Sequence, residues 1–440
     1  MSSSSSSSDN GNGNEYEGPS RSRRRTINEV WPEPFIEALA TQVAIDASQF
    51  LGRLAAAQAI VNLFQVCSTW RAVSRSDLLW HRLTRRIWGR TNLLHQTWHE
   101  EFIYRHRTAR NFRTATYSHF TLHFDPADVD DPNDPDAPIC RSMALSDQFL
   151  ACGFADGAVR LFDLNTRQHA RTFRPQHRDR LGRFSRAVSG IILNDTRLVF
   201  ATLDGDIYVA LLNSNAYPRR VHYGDVVAEG ALIDFTGRAQ WWVGLHAGVP
   251  GRAFQIWDGN TEELTFVGGV LTDPDSVRGW HTLTELSEIV GRVRVLSRES
   301  AVACTSLRLI EFDLRNQGGI VREERLSRGN IVGCFEVWKE AYMVVDNRGM
   351  ARVRSLGNEQ VCRFNIRRTQ RGMMGCINGG YALICAGGGI RVWDREGEEG
   401  EYLYNIRERI GEIKGIVADE RHVAVASSDA TIHIWDFGVQ

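Results

Sequence analysis

The stretch GFADGAVRLFD (153–163) decides the fold. It is a short apolar run, an Asp156-Gly157 turn, and a second run through Val159 and Leu161 that ends in Phe162-Asp163. Asp-Gly between two such runs marks a tight hairpin, because glycine takes a positive φ without a steric penalty. The same aromatic-Asp ending recurs as Trp257-Asp258, Phe312-Asp313, Trp393-Asp394 and Trp435-Asp436. Two weaker copies fit between them. DGDIYVALL (204–212) ends near Leu211 after an Asp204-Gly205 turn, and NRGMARVRS (347–355) ends near Arg354 after Asn347-Arg348-Gly349. Successive endings lie about 49, 46, 55, 42, 39 and 42 residues apart.

That period is close to the roughly 40–45 residues of a four-stranded WD-type blade. Seven endings therefore predict a seven-bladed WD-type β-propeller over 117–440. The aromatic-Asp step ends the third strand of a blade, yet the chain runs only four residues past Asp436. YSHFTLHF (117–124) alternates and is rich in aromatics. It is expected to supply the missing outer strand of the last blade and so remove an open sheet edge. DPADVDDPNDPDAP (125–138) reads as a solvated acidic, Pro-rich loop, since Pro and Asp at this density block helix and strand alike. Its spacing does not match a calcium loop and it has no glycine for the turn.

At 440 residues, with 42% apolar and 24% charged residues, the chain suggests two or three folded domains. A net charge of −1 gives no overall pull toward nucleic acid or membrane. Lys339 and Lys414 are the only lysines among the 52 basic residues, a bias that GC-rich codon usage accounts for. Cys67, Cys140, Cys152, Cys304, Cys334, Cys362, Cys376 and Cys385 form no Cys-x-x-Cys pair, and most read as reduced core residues. No metal or cofactor is expected. No signal peptide or bilayer-length apolar run is present, which points to nucleus or cytosol.

Residues 1–28 are Ser-, Asn- and Gly-rich and then basic (RSRRR, 21–25), so a disordered tail with a candidate nuclear import signal is expected. Residues 31–110 read as helical. Pro34 can open a helix, and Phe35, Ile36, Leu39, Ala40 and Val43 then share one face. Leu54, Ala57 and Val61 continue at helical spacing; Leu79, Trp80, Leu83 and Ile87 form another stripe, and Leu94, Trp98 and Phe102 a third. EFIYRHRTARNFRTAT (101–116) predicts a rigid connecting helix with Phe102 and Tyr104 packed and its arginines solvated.

Trp31-Pro32, Val66-Cys67-Ser68-Thr69-Trp70-Arg71 and Leu79-Trp80 together resemble an F-box, the helical plug of cullin-type ubiquitin ligases. The match covers about 50 residues. Trp stands where such modules usually open with Leu, and the segment before Val-Cys, through ATQVAIDASQFLGRLAA, is about ten residues longer than usual. The resemblance implies a Skp-type adaptor, and through it a cullin scaffold, as partners. Trp31, Pro32, Phe35, Ile36, Leu39 and Phe64 are the candidates for an adaptor-facing surface, with Val66 beside them. Cys67, Trp70 and Trp80 are expected to knit the module together. Across 30–438, motifs such as DFTGRAQWWVGL and VADERHVAVAS resemble plant F-box proteins with a degenerate propeller. That resemblance implies a nuclear regulator of flower and organ development, described either as a ligase receptor or as a transcriptional regulator.

The expected organisation is α+β and multidomain: a tail (1–28), an F-box-like helical module (29–90), a helical connector (91–116) and the propeller. Specificity is expected in the blade-to-blade loops. Arg178, Arg180, Arg183 and Arg186 lie in QHRDRLGRFSRA (176–187), and Trp280 and His281 in the long segment 270–291. Arg and Trp are favoured at binding hot spots, and an Arg cluster suits an acidic or phosphorylated protein. A solvated loop explains the same residues. GLHAGVPGRAF (244–254) is a third candidate, read as a wide hairpin loop. No phosphate loop, HExxH or GxSxG is present, so no catalytic residue is assigned. The expected function is a non-catalytic substrate receptor, with a nuclear scaffold or transcriptional regulator as the alternative.

Overall fold

The computed structural model describes residues 31–129, 138–175, 183–270, 290–296, 299–326, 329–355, 358–367, 369–370 and 372–439. A helical module is followed by seven four-stranded antiparallel sheets. Helices α1 (Glu33–Phe50), α2 (Ala55–Phe64), α3 (Ser68–Val73) and α4 (Asp77–Leu83) run into a π-helical turn, Thr84–Trp88. α5 (Trp98–Thr114) leads to the sheets. Pro34 sits in the first turn of α1, where a missing N–H costs nothing. Ser76 caps α4 and Thr97 caps α5 through side-chain oxygens that accept backbone N–H groups.

The innermost strands of the seven blades are Cys140–Leu145, Val188–Leu193, Ala231–Gly237, Gly291–Val295, Glu336–Trp338, Met374–Ile377 and Ile413–Ala418. Each packs beside the next, and the last returns to the first, so the ring closes around a central channel. The seventh sheet takes its outer strand from Ser118–Leu122, antiparallel to Ile432–Asp436 with Phe120 opposite Ile434.

The aromatic-Asp step has a physical cause. Phe162, Phe312, Trp257 and Trp435 are buried between blades. The following Asp turns the chain by accepting backbone N–H groups: Asp163 from Asn165 at 2.8 Å, Asp258 from Asn260 at 2.7 Å, and Asp313 from Arg315 at 2.9 Å. The two weak copies solve the same problem differently. Ala210 and Leu211 occupy the places of the aromatic and the Asp in the second blade, where Arg197 pairs across to Leu211. In the fifth, Arg354 replaces the aromatic and pairs with Glu324 of the neighbouring blade at 2.5 Å. Gly157, Gly205 and Gly349 hold φ of 84°, 91° and 86° in the turns before the third strand.

The acidic stretch departs from the solvated loop expected of it. Pro126–Asp128 forms a 3-10 turn, and the Asp128 carbonyl accepts from the buried Arg160 at 2.8 Å. Residues 130–137 lie outside the described residues.

Candidate functional site

The helical module builds one core. Ile36, Ala40 and Ala44, spaced four apart on α1, pack with Ala56, Ile60, Leu63 and Phe64 of α2 and with Leu79, Trp80 and Leu83. This corrects two expected adaptor contacts. Ile36 is 0% and Phe64 9% exposed, so both are core residues, while Leu39 is only partly exposed. The α2 core face lies one position away from the predicted stripe: Ala56 and Ile60 are buried and Val61 is exposed. Leu94 is likewise exposed, ahead of the helix that starts at Trp98.

What stays on the surface is narrower. Trp31 (50% exposed) stacks on Phe35 (46%) at 4.7 Å between ring centroids, with Pro32 exposed beside them. Val66 and Cys67 are also exposed. Cys67 therefore does not knit the module, as had been expected. Trp80 does: it is buried and donates from Nε1 to the Ser74 carbonyl at 2.6 Å. Trp70 packs partly against the core.

Connector and propeller form a tight joint. Phe112 of α5 stacks on Phe437 at 3.7 Å and on Tyr381 at 5.1 Å. Asn111 donates to the carbonyls of Phe437 and Val439 at 2.8 and 3.1 Å, and the Tyr381 hydroxyl donates to the Ala109 carbonyl at 2.6 Å. Arg53 lies over the Trp88 ring and pairs with Glu396 and Glu420; Arg90 pairs with Asp147 at 2.7 Å. Gly379 and Gly380 lie where a side chain would collide with the Arg53 guanidinium. The connector arginines are not all solvated, contrary to expectation. Arg105 is buried and pairs with Glu101 at 2.7 Å. Burial alone would raise the Glu101 carboxyl, but His95 and Arg105 outweigh it and hold it below the usual range.

These contacts share one side. In an antiparallel blade the turns between strands one and two, and three and four, fall on the same face. Asp147, Lys339, Asn378–Gly380, Glu396 and Glu420 all sit in or beside such turns, in blades one, five, six and seven. The helical module covers that face, and the blade-to-blade loops lie on the other. There Arg252, Arg348, Arg367, Arg407 and Arg409 are exposed, among the carboxylates Asp225, Glu412 and Asp429. Arg186 is half-buried at the end of a 3-10 turn that begins at Arg183. Arg178, Arg180, Trp280 and His281 lie outside the described residues. The hairpin loop expected within 244–254 joins Trp241–Ala247 to Phe254–Asp258 on this open face. Sequence reading did not single out these arginines, because they are scattered over four loops, with Arg407 and Arg409 in one and Arg252 inside the flagged stretch 244–254. Their one signal was position, each standing in a turn that blade counting assigns to this face.

Among the described residues, no group of three or more His, Cys, Asp or Glu side chains is placed to hold a metal ion. No helix there is long and apolar enough to cross a membrane.

No protein-family profile matches the chain. The transcriptional regulator STERILE APETALA of Arabidopsis thaliana is 60% identical over 428 residues, covering 96% of this chain and 95% of that protein. The chain belongs to the STERILE APETALA family. Among solved structures, the β-propeller domain of Cps50 (Swd1) from Myceliophteria thermophila superposes with a TM-score of 0.52 at 13% identity, covering 72% of this chain and 98% of that one. The WD40 propeller domain of Doa1 gives 0.48 at 12% identity, over 72% and 95%. The first of these likenesses speaks to the propeller fold of this family member.

Proposed function

We propose that this protein is a nuclear transcriptional regulator of plants that works by bridging proteins, with the propeller's open face holding a partner. The observation that carries this is the division of the propeller into two faces. One is covered by the helical module through Arg53, Arg90 and Phe112, and the other presents exposed arginines on rigid blade ends. Arginine reads carboxylate and phosphate groups bidentately, so an acidic or phosphorylated protein is the matching partner class. The 60% identity to a protein named as a transcriptional regulator supports the regulatory part. The test is a reporter assay in plant nuclei with the full chain tethered to the promoter. Transcription should change with the wild type and return to baseline with Arg348→Glu/Arg367→Glu/Arg409→Glu. A reporter indifferent to the tethered wild type would sink this reading.

A second reading is favoured by a specific observation, the stacked and exposed Trp31–Phe35 pair with Pro32 at the head of α1. An apolar helix end left in water fits a groove on a partner. In this reading the module binds a Skp-type adaptor, and through it a cullin scaffold, and the propeller presents its partner for ubiquitination. The protein itself performs no chemistry in either reading. Pull-down of the purified adaptor by wild type, lost in Trp31→Ala/Pro32→Ala/Phe35→Ala with the propeller still folded, is the expected result. No capture by folded wild type would rule out the ligase role and leave the bridging role standing.

A further inference from the structure

The central channel holds a cavity of about 140 Å³ lined by inner strands of six blades. By the same measure one water needs roughly 10–15 Å³, so an acidic side chain with bridging waters fits. Ala187, Leu203 and Val290 of the lining stand in blade-to-blade or second-to-third-strand turns, so the cavity opens on the face away from the helical module. Its charged lining is Arg141, Arg292, Arg294 and Lys414 with Asp234 and Glu336.

The two carboxylates are already engaged by one arginine. Arg294 donates to Glu336 at 2.7 Å and to Asp234 at 2.8 Å, and the Val293 N–H also donates to Asp234 at 2.7 Å. Arg292, two residues earlier and facing the same channel, is served far less well. Among the described residues its Nη1 has only the Gly333 and Phe335 carbonyls at 3.4 and 3.5 Å and Glu336 at 3.9 Å. A guanidinium with five donors is therefore kept in a narrow, low-dielectric channel with contacts at the outer limit of hydrogen bonding. Burial and the neighbouring Arg294 hold it below the usual guanidinium range. Lys414, on the seventh blade's inner strand, lies on the lining with its Nζ 2.7 Å from the exposed Glu412.

We propose that the mouth of the central channel is an anion pocket, in which Arg292 and Lys414 receive one carboxylate or phosphate side chain from a bound protein partner. This rests on the reading of the open face as a partner-binding face and names the chemistry at its centre. Glu336 and Asp234 tether Arg294, which keeps Arg292 oriented without neutralising it. The arginines on the surrounding loops would hold the chain on either side of the inserted residue.

The test is fluorescence anisotropy on the full chain with three labelled peptides of equal length: one centred on glutamates, one on phosphoserine, one on glutamine. The anionic peptides should bind, more weakly as salt rises, and the glutamine peptide should not. Arg292→Gln should weaken anionic binding about tenfold or more, the scale of one buried charge-assisted contact. Lys414→Gln sits nearer the surface and should weaken it by a smaller factor without disturbing the fold, which keeps the test decisive if Arg292→Gln melts early. Whether carboxylate or phosphate binds more tightly identifies the source of the anion. Equal affinity for all three peptides, affinity unchanged in both variants, or displacement of the peptides by duplex DNA would overturn the pocket. None of these results bears on tethered transcription, so pocket and bridging role fail separately.

Discussion

Arg53, at the entry to α2, donates its Nε to Glu396 Oε1 at 2.5 Å across 343 residues of chain. Its Nη1 reaches both oxygens of Glu420 at 3.1 Å, and the guanidinium lies 5.0 Å from the centre of the Trp88 ring. Side-chain exposures of 14%, 19% and 6% put this triad in the joint rather than on the surface. It ties two blades to the helical module and so fixes how that module sits on the propeller. Arg53→Met would leave two carboxylates buried and unpaired, at a cost of about 3–5 kcal/mol. The expected outcome is a lower denaturation midpoint and faster proteolysis between the helices and the first blade. Adding Glu396→Gln and Glu420→Gln to Arg53→Met should recover much of the loss, since it removes the unpaired charge.

Residues of the α1 and α2 stripes should sort by burial and not by residue type. Trp31→Ala and Phe35→Ala act on exposed rings and should change stability by about 0.5 kcal/mol or less. Ile36→Ala and Phe64→Ala cut into the core shared with Leu79 and Trp80, and should cost about 2–5 kcal/mol each. Urea unfolding of the four variants checks this. A large loss in Trp31→Ala would show that the stacked pair is structural.

Propeller closure should depend on a segment remote from the last blade. Ser118–Leu122 covers the strand Ile432–Asp436 with five residue pairs in register. Truncation to a chain that starts after 124 uncovers that edge, and uncovered edges seek other strands. Self-association should appear in sedimentation, along with early melting. Adding the 117–124 peptide in excess should suppress both.

Stability should fall as pH drops from neutrality toward 4, through histidines that are buried uncharged. Burial is the main cause that pushes His246 down to about 4, partly opposed by the Gly230 carbonyl and Glu229. Burial likewise lowers His106, His222 and His433. In each case the unfolded chain takes up the proton first, so stability is complete above the unfolded value near 6.5 and is lost as pH falls toward the folded one. His246 alone accounts for about 3 kcal/mol at about 1.4 kcal/mol per pH step. Denaturation curves at pH 7 and pH 4.5 should separate, and His246→Gln should narrow the gap. Equal midpoints for wild type would refute the assignment.

Much of the propeller was legible because its signals are local. Phe162-Asp163 and its four strong relatives are each a buried ring followed by a carboxylate that turns its own chain, so the step can be read within a dozen residues. The weak copies were harder: Arg354 stands in place of a ring and pairs with Glu324 of the preceding blade, and no short window around residue 354 contains that partner. The helical stripes were legible as stripes but not as faces. Periodicity places Ile36 and Phe35 on adjacent positions of one helix and cannot say which meets α2 and which meets water. The α2 core runs through Ala56 and Ile60, which meet α1, and Cys67, at the N-cap of α3, is exposed.

Chain order alone thus carries the blade count, the turn chemistry, the helical nature of the first quarter and the spare strand before the propeller, since each depends on residues close in sequence. The third dimension supplies everything that joins distant positions: the clamp of Arg53 between Glu396 and Glu420, the stacking of Phe112 on Phe437, the face the helices cover, and the channel that Arg292 and Lys414 both line. The hydrogen bonds of turns and the periodicity of side chains are settled within a few residues. Burial, charge pairing and field are settled by whatever the fold brings near, and for Arg53 and Arg292 those partners lie in other blades and other turns.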